Sequence, residues 1–344
     1  MFTRGEEWNI SFAGCGFRSV YYLGAVTSIL ERAAHLVYGA SKICGASSGC
    51  LVAAALTVGL PIEQVCADVL AVAKEARKHH LSIFHPTFSL QRTVRNSLQE
   101  KLPADAHRRA SGRLCVSLTR MSDGSNVLVS HFDSREELIQ VLMCSCFFPV
   151  YCGLIPPSYR GQLYMDGALS NNMPLLEHPN TITMAPFCSE SDISPKDGAW
   201  TAISVHCNNL NIQELAEIFY SGYTDALCFL RQEDLLGTSS PEEPMDKVDI
   251  TETALGEQPW WLKHKHAHQL PLNIKRGETI QILCAACRDG GDVLGRQRLC
   301  PLEVFYRILT PLVLAVELIL LLFKSVSAKK NLSRLKLDSE KKLY

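Results

Sequence analysis

Apolar and polar positions along this chain fall into blocks that predict strand, helix, strand, helix in turn. Trp8–Phe12 is a short apolar run of strand length, and Val20–Val37 continues with helical character. Ser41–Cys44 is a second strand-like run, and the small-residue apolar stretch Cys50–Gly59 predicts a helix. Pro61–Lys78 is also helical, with its proline in an early turn where a helix tolerates it. In Ser89–Leu102 the apolar Leu90, Val94, Leu98 and Leu102 recur every fourth residue, which marks one helix face. Arg113–Met121 and Val127–Phe132 predict strands on either side of the turn Ser122-Asp123-Gly124-Ser125-Asn126. Ser134 with Glu137 three residues on is a capping box at the start of another helix. Leu163–Met165 and Thr181–Pro186 are further strands, and Asn211–Leu236 is a mostly amphipathic helix. This alternation predicts an α/β fold around a largely parallel sheet.

After Gly237 the pattern changes. Glu233–Glu257 carries eight acids against the single Lys247, with prolines among them, which predicts a mobile linker. Ile308–Phe323 is apolar apart from Thr310, Pro311 and Glu317. At 16 residues it is shorter than the roughly 20 that a spanning helix needs. Seven Lys or Arg against two acids follow in Lys324–Tyr344. A short apolar segment beside a basic tail predicts an interfacial anchor on a lipid surface, with a buried helix or a single span as the other readings. The expected organisation is an N-terminal tail at 1–7, a main folded domain at 8–236, a polar linker at 237–300 and an anchoring segment at 301–344.

Charge and cysteine usage narrow the class. The net charge of −1 predicts no nucleic-acid surface, and a 47% hydrophobic fraction is ample for a core. The 14 cysteines sit inside apolar runs, as Cys144, Cys146 and Cys228 do, like buried free thiols. Met1–Glu7 is charged and no apolar leader follows, so a reducing, cytosol-facing location is expected. Metal is disfavoured: Cys284 and Cys287 form a lone pair, and His264, His266 and His268 lie in a polar stretch. His79, His80, His85 and His131 have no visible tie to the candidate nucleophile described next.

The sharpest motif is Gly45-Ala46-Ser47-Ser48-Gly49, a G-x-S-x-G between a strand-like run and a helix-like run. That is the setting of a nucleophile elbow, with Ser47 on a tight turn at the positive end of a helix. Upstream, Gly14-Cys15-Gly16 ends a strand before a helix, which suits a nest of amides for developing negative charge. A dinucleotide turn is disfavoured because Ser19 stands at the third glycine and no acid lies between Glu31 and Glu63. A hydroxyl nucleophile needs a base. Asp166 beside Gly167 and Asp123 beside Gly124 are both candidates on spacing alone, and a turn-capping role suits either.

Several segments together resemble the patatin-like phospholipase domain: Ser11–Phe17, the elbow Gly45–Gly49, and Asp166-Gly167 with Asn172 and Pro174. Ser117-Leu118-Thr119-Arg120, Val150–Pro157 and Ser191-Asp192-Ile193 resemble the adipose triglyceride lipase and adiponutrin branch of that family. The resemblance implies a three-layer α/β/α fold with a mostly parallel central sheet and a Ser–Asp dyad. Ser47 then matches the nucleophile, Asp166 the base, and Gly14, Cys15 and Gly16 the oxyanion loop. Ser19 and Ala168 depart from the pattern by replacing glycines, and Arg18 beside the loop is unusual.

The implied activity is a lipid acyl hydrolase, triacylglycerol lipase in type, peripheral to lipid droplets or endoplasmic reticulum membrane. Neutral lipid, a phospholipid surface and a protein co-activator are the expected partners, with no cofactor and no nucleic acid. A transacylase using the same dyad and a weakly catalytic droplet protein that sequesters a lipase co-activator are the alternatives.

Overall fold

The computed structural model describes residues 7–77, 89–149, 151–153, 155–176, 180–187, 189–196 and 212–236. The acidic stretch beyond Leu236, the apolar segment with its basic tail, the Cys284/Cys287 pair and His79, His80, His85, His264, His266 and His268 lie outside the described residues.

The elements in chain order are β1 (Asn9–Phe12), α1 (Val20–Ala33), α2 (His35–Tyr38), β2 (Lys42–Ala46), α3 (Ser48–Val58), α4 (Ile62–Arg77), α5 (Leu90–Lys101) and α6 (Ala106–Ala110). β3 (Leu114–Arg120), β4 (Asn126–Val129), α7 (Arg135–Ser145), β5 (Ser158–Tyr159), β6 (Gln162–Asp166), β7 (Thr181–Met184) and α8 (Ile212–Gln232) complete the set. The helix expected over Val20–Val37 is divided at Ala34 into α1 and α2, and α6 and β5 have no counterpart in the periodicity. Ser134 accepts the Glu137 N–H as a capping serine should, while the Glu137 carboxylate takes the N–H of Asp133 instead of that of Ser134.

The expectation of a largely parallel sheet needs correction. Pairing runs β5-β6-β3-β2-β1-β7, with β4 branching from β3. Only β7, β1, β2 and β3 are parallel to one another; β4, β5 and β6 pair antiparallel. The parallel strands are joined by helices, whereas β4 returns from β3 through the tight turn at Asp123. β1 is buried along its whole length, as a central parallel strand must be.

The register around β3 places the functional residues. Residues 116–119 of β3 pair with β4, so β2 (at 114–117) and β6 (at 118–120) share the opposite edge. β2 runs parallel to β3 and β6 antiparallel. Their C-terminal ends therefore meet head to head, with Ala46 opposite Ser117 and Asp166 opposite Leu118. Chain direction alone carries the residue after β2 and the last residue of β6 to one point.

α3 packs on β1, β2 and β3, and α7 on β3 and β6. α1 and α8 approach backbone to backbone: a Cβ on Gly24 would lie 1.9 Å from the Phe219 carbonyl oxygen, and one on Gly222 2.0 Å from that of Tyr21. Tyr21 Oη donates to Asp225 Oδ2 at 2.7 Å, and Tyr223 Oη to Glu31 Oε2 at 2.7 Å. Cys44, Cys50, Cys66, Cys115 and Cys144 are buried free thiols, but Cys228 on α8 is exposed, contrary to the reading of its apolar run.

Candidate active site

Ser47 occupies the turn between β2 and α3 with φ 52° and ψ −133°. A side chain rarely adopts this conformation, and such strain, about 1–3 kcal/mol, persists only where neighbours over-determine it. Gly45 and Gly49 leave the necessary room. A Cβ on Gly45 would lie 2.5 Å from the Gly49 carbonyl carbon, and one on Gly49 2.6 Å from the carbonyl oxygens of Phe12 and Ala13. The turn is therefore pressed against the end of β1, whose continuation is the Gly14–Gly16 loop.

The structure brings Ser47 and Asp166 together. Ser47 Oγ donates to Asp166 Oδ2 at 2.6 Å, a short, charge-assisted geometry. The second carboxylate oxygen is held by the N–H of Ala168 at 2.9 Å, so only Oδ2 faces the serine. Thr119 Oγ1 donates to the Asp166 carbonyl oxygen at 2.7 Å and fixes its backbone. The residue is 2% exposed. Burial pushes its carboxyl up to about 6, against the lowering effect of the Ser47 hydroxyl and the Ala168 amide. A carboxylate so displaced is a stronger base than a solvated one. Asp123, the rival on spacing, instead stabilises its own turn by accepting from Ser125 N and Oγ.

The three loop amides are not equivalent. Gly14 N–H is committed to Asn172 Oδ1 at 2.8 Å, and Cys15 N–H reaches Ser48 Oγ at 3.2 Å. Gly16 has φ +60°, and the place where its Cβ would stand is open. The Gly14 amide therefore ties the loop to Asn172, and the Cys15 amide is held by a longer bond to Ser48 Oγ. Tyr22 Oη donates to the Ala13 carbonyl oxygen at 2.6 Å and supports the loop from below. Burial pushes the Cys15 thiol up to about 12, leaving it a neutral bystander at physiological pH. Ser19 is buried at the start of α1, and Ala168 serves Asp166 through its backbone, so neither departure removes a group the dyad uses.

Sequence reasoning missed Ser145, the last residue of α7, whose hydroxyl accepts the Ser47 N–H at 3.0 Å. It also missed the role of Asn172, although that residue stood in the quoted motif. His131 is bonded to Ser130 Oγ at 3.2 Å, remote from the dyad in its interactions. Among the described residues no cluster of His, Cys, Asp or Glu could hold a metal ion.

The patatin-like phospholipase family model matches residues 10–177. Patatin-like phospholipase domain-containing protein 2 of Rattus norvegicus is 40% identical over 347 residues, covering 92% of this chain and 70% of that protein. The Homo sapiens protein of the same name is 40% identical, with 92% and 68% covered. The 1-acylglycerol-3-phosphate O-acyltransferase Pnpla3 of Mus musculus is 38% identical over 67% of this chain and 61% of its own length. With these relatives and this arrangement of elbow, loop and carboxylate, the chain belongs to the patatin-like phospholipase family, in the adipose triglyceride lipase and adiponutrin branch that its motifs resemble.

Proposed function

We propose that this protein is a serine acyl hydrolase of glycerolipids, a triacylglycerol lipase working at a lipid-droplet surface. The observation that carries the reading is the 2.6 Å hydrogen bond from Ser47 Oγ to a buried carboxylate held near pH 6. Asp166 takes the proton as Ser47 Oγ attacks the ester carbonyl, and the Cys15 and Gly16 amides stabilise the oxygen that gains charge. Collapse of the tetrahedral intermediate expels the glyceride alkoxide, which receives the proton from Asp166. Water activated by the same carboxylate then releases the fatty acid from acyl-Ser47.

Exposed apolar side chains in the segment after Asp166, Leu169 and Leu175, support contact with an apolar phase, as does Ile155 before β5. No helix among the described residues is long and apolar enough to cross a membrane. The apolar segment Ile308–Phe323 with its basic tail is the proposed means of attachment. Deleting Val304–Tyr344 should release the protein from oil droplets while leaving the catalytic domain folded.

A second reading rests on the relative whose name is 1-acylglycerol-3-phosphate O-acyltransferase. The same acyl-Ser47 could pass its chain to a lipid hydroxyl instead of water. Purified protein on emulsified triolein, phosphatidylcholine and retinyl ester, with and without 1-acylglycerol-3-phosphate, separates the two. Free fatty acid from triolein, lost in Ser47→Ala and Asp166→Asn, is the expected outcome. Acylated acceptor as main product favours transfer, and full activity in either variant removes the dyad.

A further inference from the structure

The end of α7 grips both members of the candidate dyad. Ser145 Oγ accepts the N–H of Ser47 at 3.0 Å and donates to the Ser117 carbonyl oxygen at 2.8 Å. Two residues later the Phe147 carbonyl oxygen accepts the N–H of Asp166 at 2.8 Å. A single tripeptide, Ser145-Cys146-Phe147, thus holds the backbone of the nucleophile at one end and that of the base at the other.

This tripeptide is itself secured. Gln91 Nε2 on α5 donates to the carbonyl oxygens of Cys146 at 3.1 Å and Met143 at 3.4 Å, closing the end of α7. Cys152 Sγ donates to the Cys146 carbonyl oxygen at 3.2 Å. The Ser145 side chain is fully buried, so its hydroxyl has no water to exchange for these partners. Its two bonds are directional, and they join the elbow to the stretch of β3 where the ends of β2 and β6 meet.

The elbow needs such a hold. Ser47 is strained, and α3 restrains it only from the C-terminal side. Nothing in the α3 helix fixes the direction in which the Ser47 N–H points, whereas Ser145 does.

We propose that Ser145 is a positioning residue, which holds the strained Ser47 backbone so that Ser47 Oγ stays within bonding distance of Asp166 Oδ2. The proposal rests on the dyad reading above. Ser145 touches no substrate; it acts through Ser47. Removing its hydroxyl frees the Ser47 N–H and lets the elbow relax away from Asp166. A displacement of about 1 Å in a reacting group can cost on the order of 10²-fold in rate.

The test measures kcat, KM and the pH dependence of kcat/KM on a soluble short-chain ester for full-length wild type, Ser145→Ala and Ser47→Ala. Ser145→Ala is expected to lower kcat by about 10- to 100-fold with KM changed less than about twofold. Its acid limb should move to higher pH, because the Ser47 hydroxyl helps to keep the Asp166 carboxyl down. The titratable groups facing Asp166 are the thiols of Cys15 and Cys152, pushed up by burial, and that of Cys146, pushed up by its hydrogen bond with the Cys50 thiol and by burial, all neutral over this range.

Thr57→Ala in α3, which removes a buried hydroxyl bonded only to the Ala53 carbonyl oxygen, controls for loss of stability alone. Wild-type kcat in Ser145→Ala overturns the proposal. So does a loss matched by Thr57→Ala at an equal fall in melting temperature with the acid limb unmoved. Should Ser145→Ala fail to fold, Ser145→Cys retains a weaker partner of similar size and carries the same readout with a smaller loss. Activity surviving in Ser47→Ala would instead remove the dyad, an outcome visible separately in the same experiment.

Discussion

The Gly14 N–H donates to Asn172 Oδ1 at 2.8 Å, joining the loop after β1 to the segment after β6 across 158 positions of chain. The glycine loop and the segment that follows Asp166 are therefore mechanically one unit. A Cβ on Gly14 would lie 2.7 Å from the Cβ of Ser47 and 2.9 Å from Asn172 Oδ1, so the unit closes around the nucleophile as well. Ser11 Oγ, which donates to the Pro174 carbonyl oxygen at 2.8 Å, reinforces the same link.

Asn172→Ala should therefore damage turnover more than folding. It leaves the Gly14 N–H without its acceptor and frees the loop to turn its amides away from the oxyanion. Misplacing one such donor costs on the order of 10²-fold in kcat. Asn172→Asp keeps an acceptor but sets a negative charge beside the developing oxyanion, and should be at least as slow. Steady-state kinetics on a soluble ester, with thermal melting as the folding control, check both. Wild-type kcat in Asn172→Ala would mean that the loop holds its shape unaided.

Activity should also report the ionisation of Asp166. The carboxyl must be charged to accept the Ser47 proton, and burial holds it near 6. The rate constant kcat/KM should therefore rise with pH through a midpoint near 6, well above the midpoint of about 4 expected of a solvated aspartate. The measurement needs a water-soluble substrate, so that the quality of a lipid interface does not vary with pH. A midpoint near 4 would show that Asp166 is hydrated in the working enzyme.

The same burial has a thermodynamic cost. With its native carboxyl raised from 3.8 to about 6, Asp166 binds more protons folded than unfolded between those limits. Its contribution therefore becomes less favourable as pH rises from about 4 to 6, and stays so above. A gap of this size corresponds to roughly 3 kcal/mol at about 1.4 kcal/mol per pH unit. Asp166→Asn removes the buried charge and can still accept the Ala168 N–H through its amide oxygen. It should be inactive yet more stable at pH 8 by about 1–3 kcal/mol, with the gain vanishing near pH 4. Urea unfolding at the two pH values decides the matter, and equal gains at both would rule out the charge as the cause.

What could be read from the sequence divides along physical lines. Gly45, Ser47 and Gly49 announced the elbow because close packing at a turn restricts residue type at fixed local spacing. The β3–β4 hairpin was visible for the same reason, in Asp123-Gly124. Asp166 was distinguishable from Asp123 only through family resemblance, since what separates them is burial, and burial arises from long-range packing. Of the other antiparallel strands, β6 was legible in part as Leu163–Met165, but its direction beside β3 depends on long-range pairing, and β5 is too short at two residues to leave a pattern. Ser145 gave no local signal at all. It directly follows the apolar run Val141–Cys144 at the end of α7, and its partners Ser47 and Ser117 are 98 and 28 positions away.

The strain at Ser47 gives a last prediction, independent of any substrate. At φ 52° and ψ −133° a residue with a Cβ is disfavoured, and glycine is not. Ser47→Ala removes the hydroxyl but keeps the Cβ and so keeps the strain. Ser47→Gly removes both, at a cost of about 0.5–1 kcal/mol because glycine has more freedom to lose on folding. Relief of about 1–3 kcal/mol outweighs that cost over most of its range. Both variants should be inactive, with Ser47→Gly the more stable by about 1 kcal/mol in urea unfolding. If the alanine variant proved the more stable, the elbow would not be storing strain, and its geometry would be set by Gly45 and Gly49 alone.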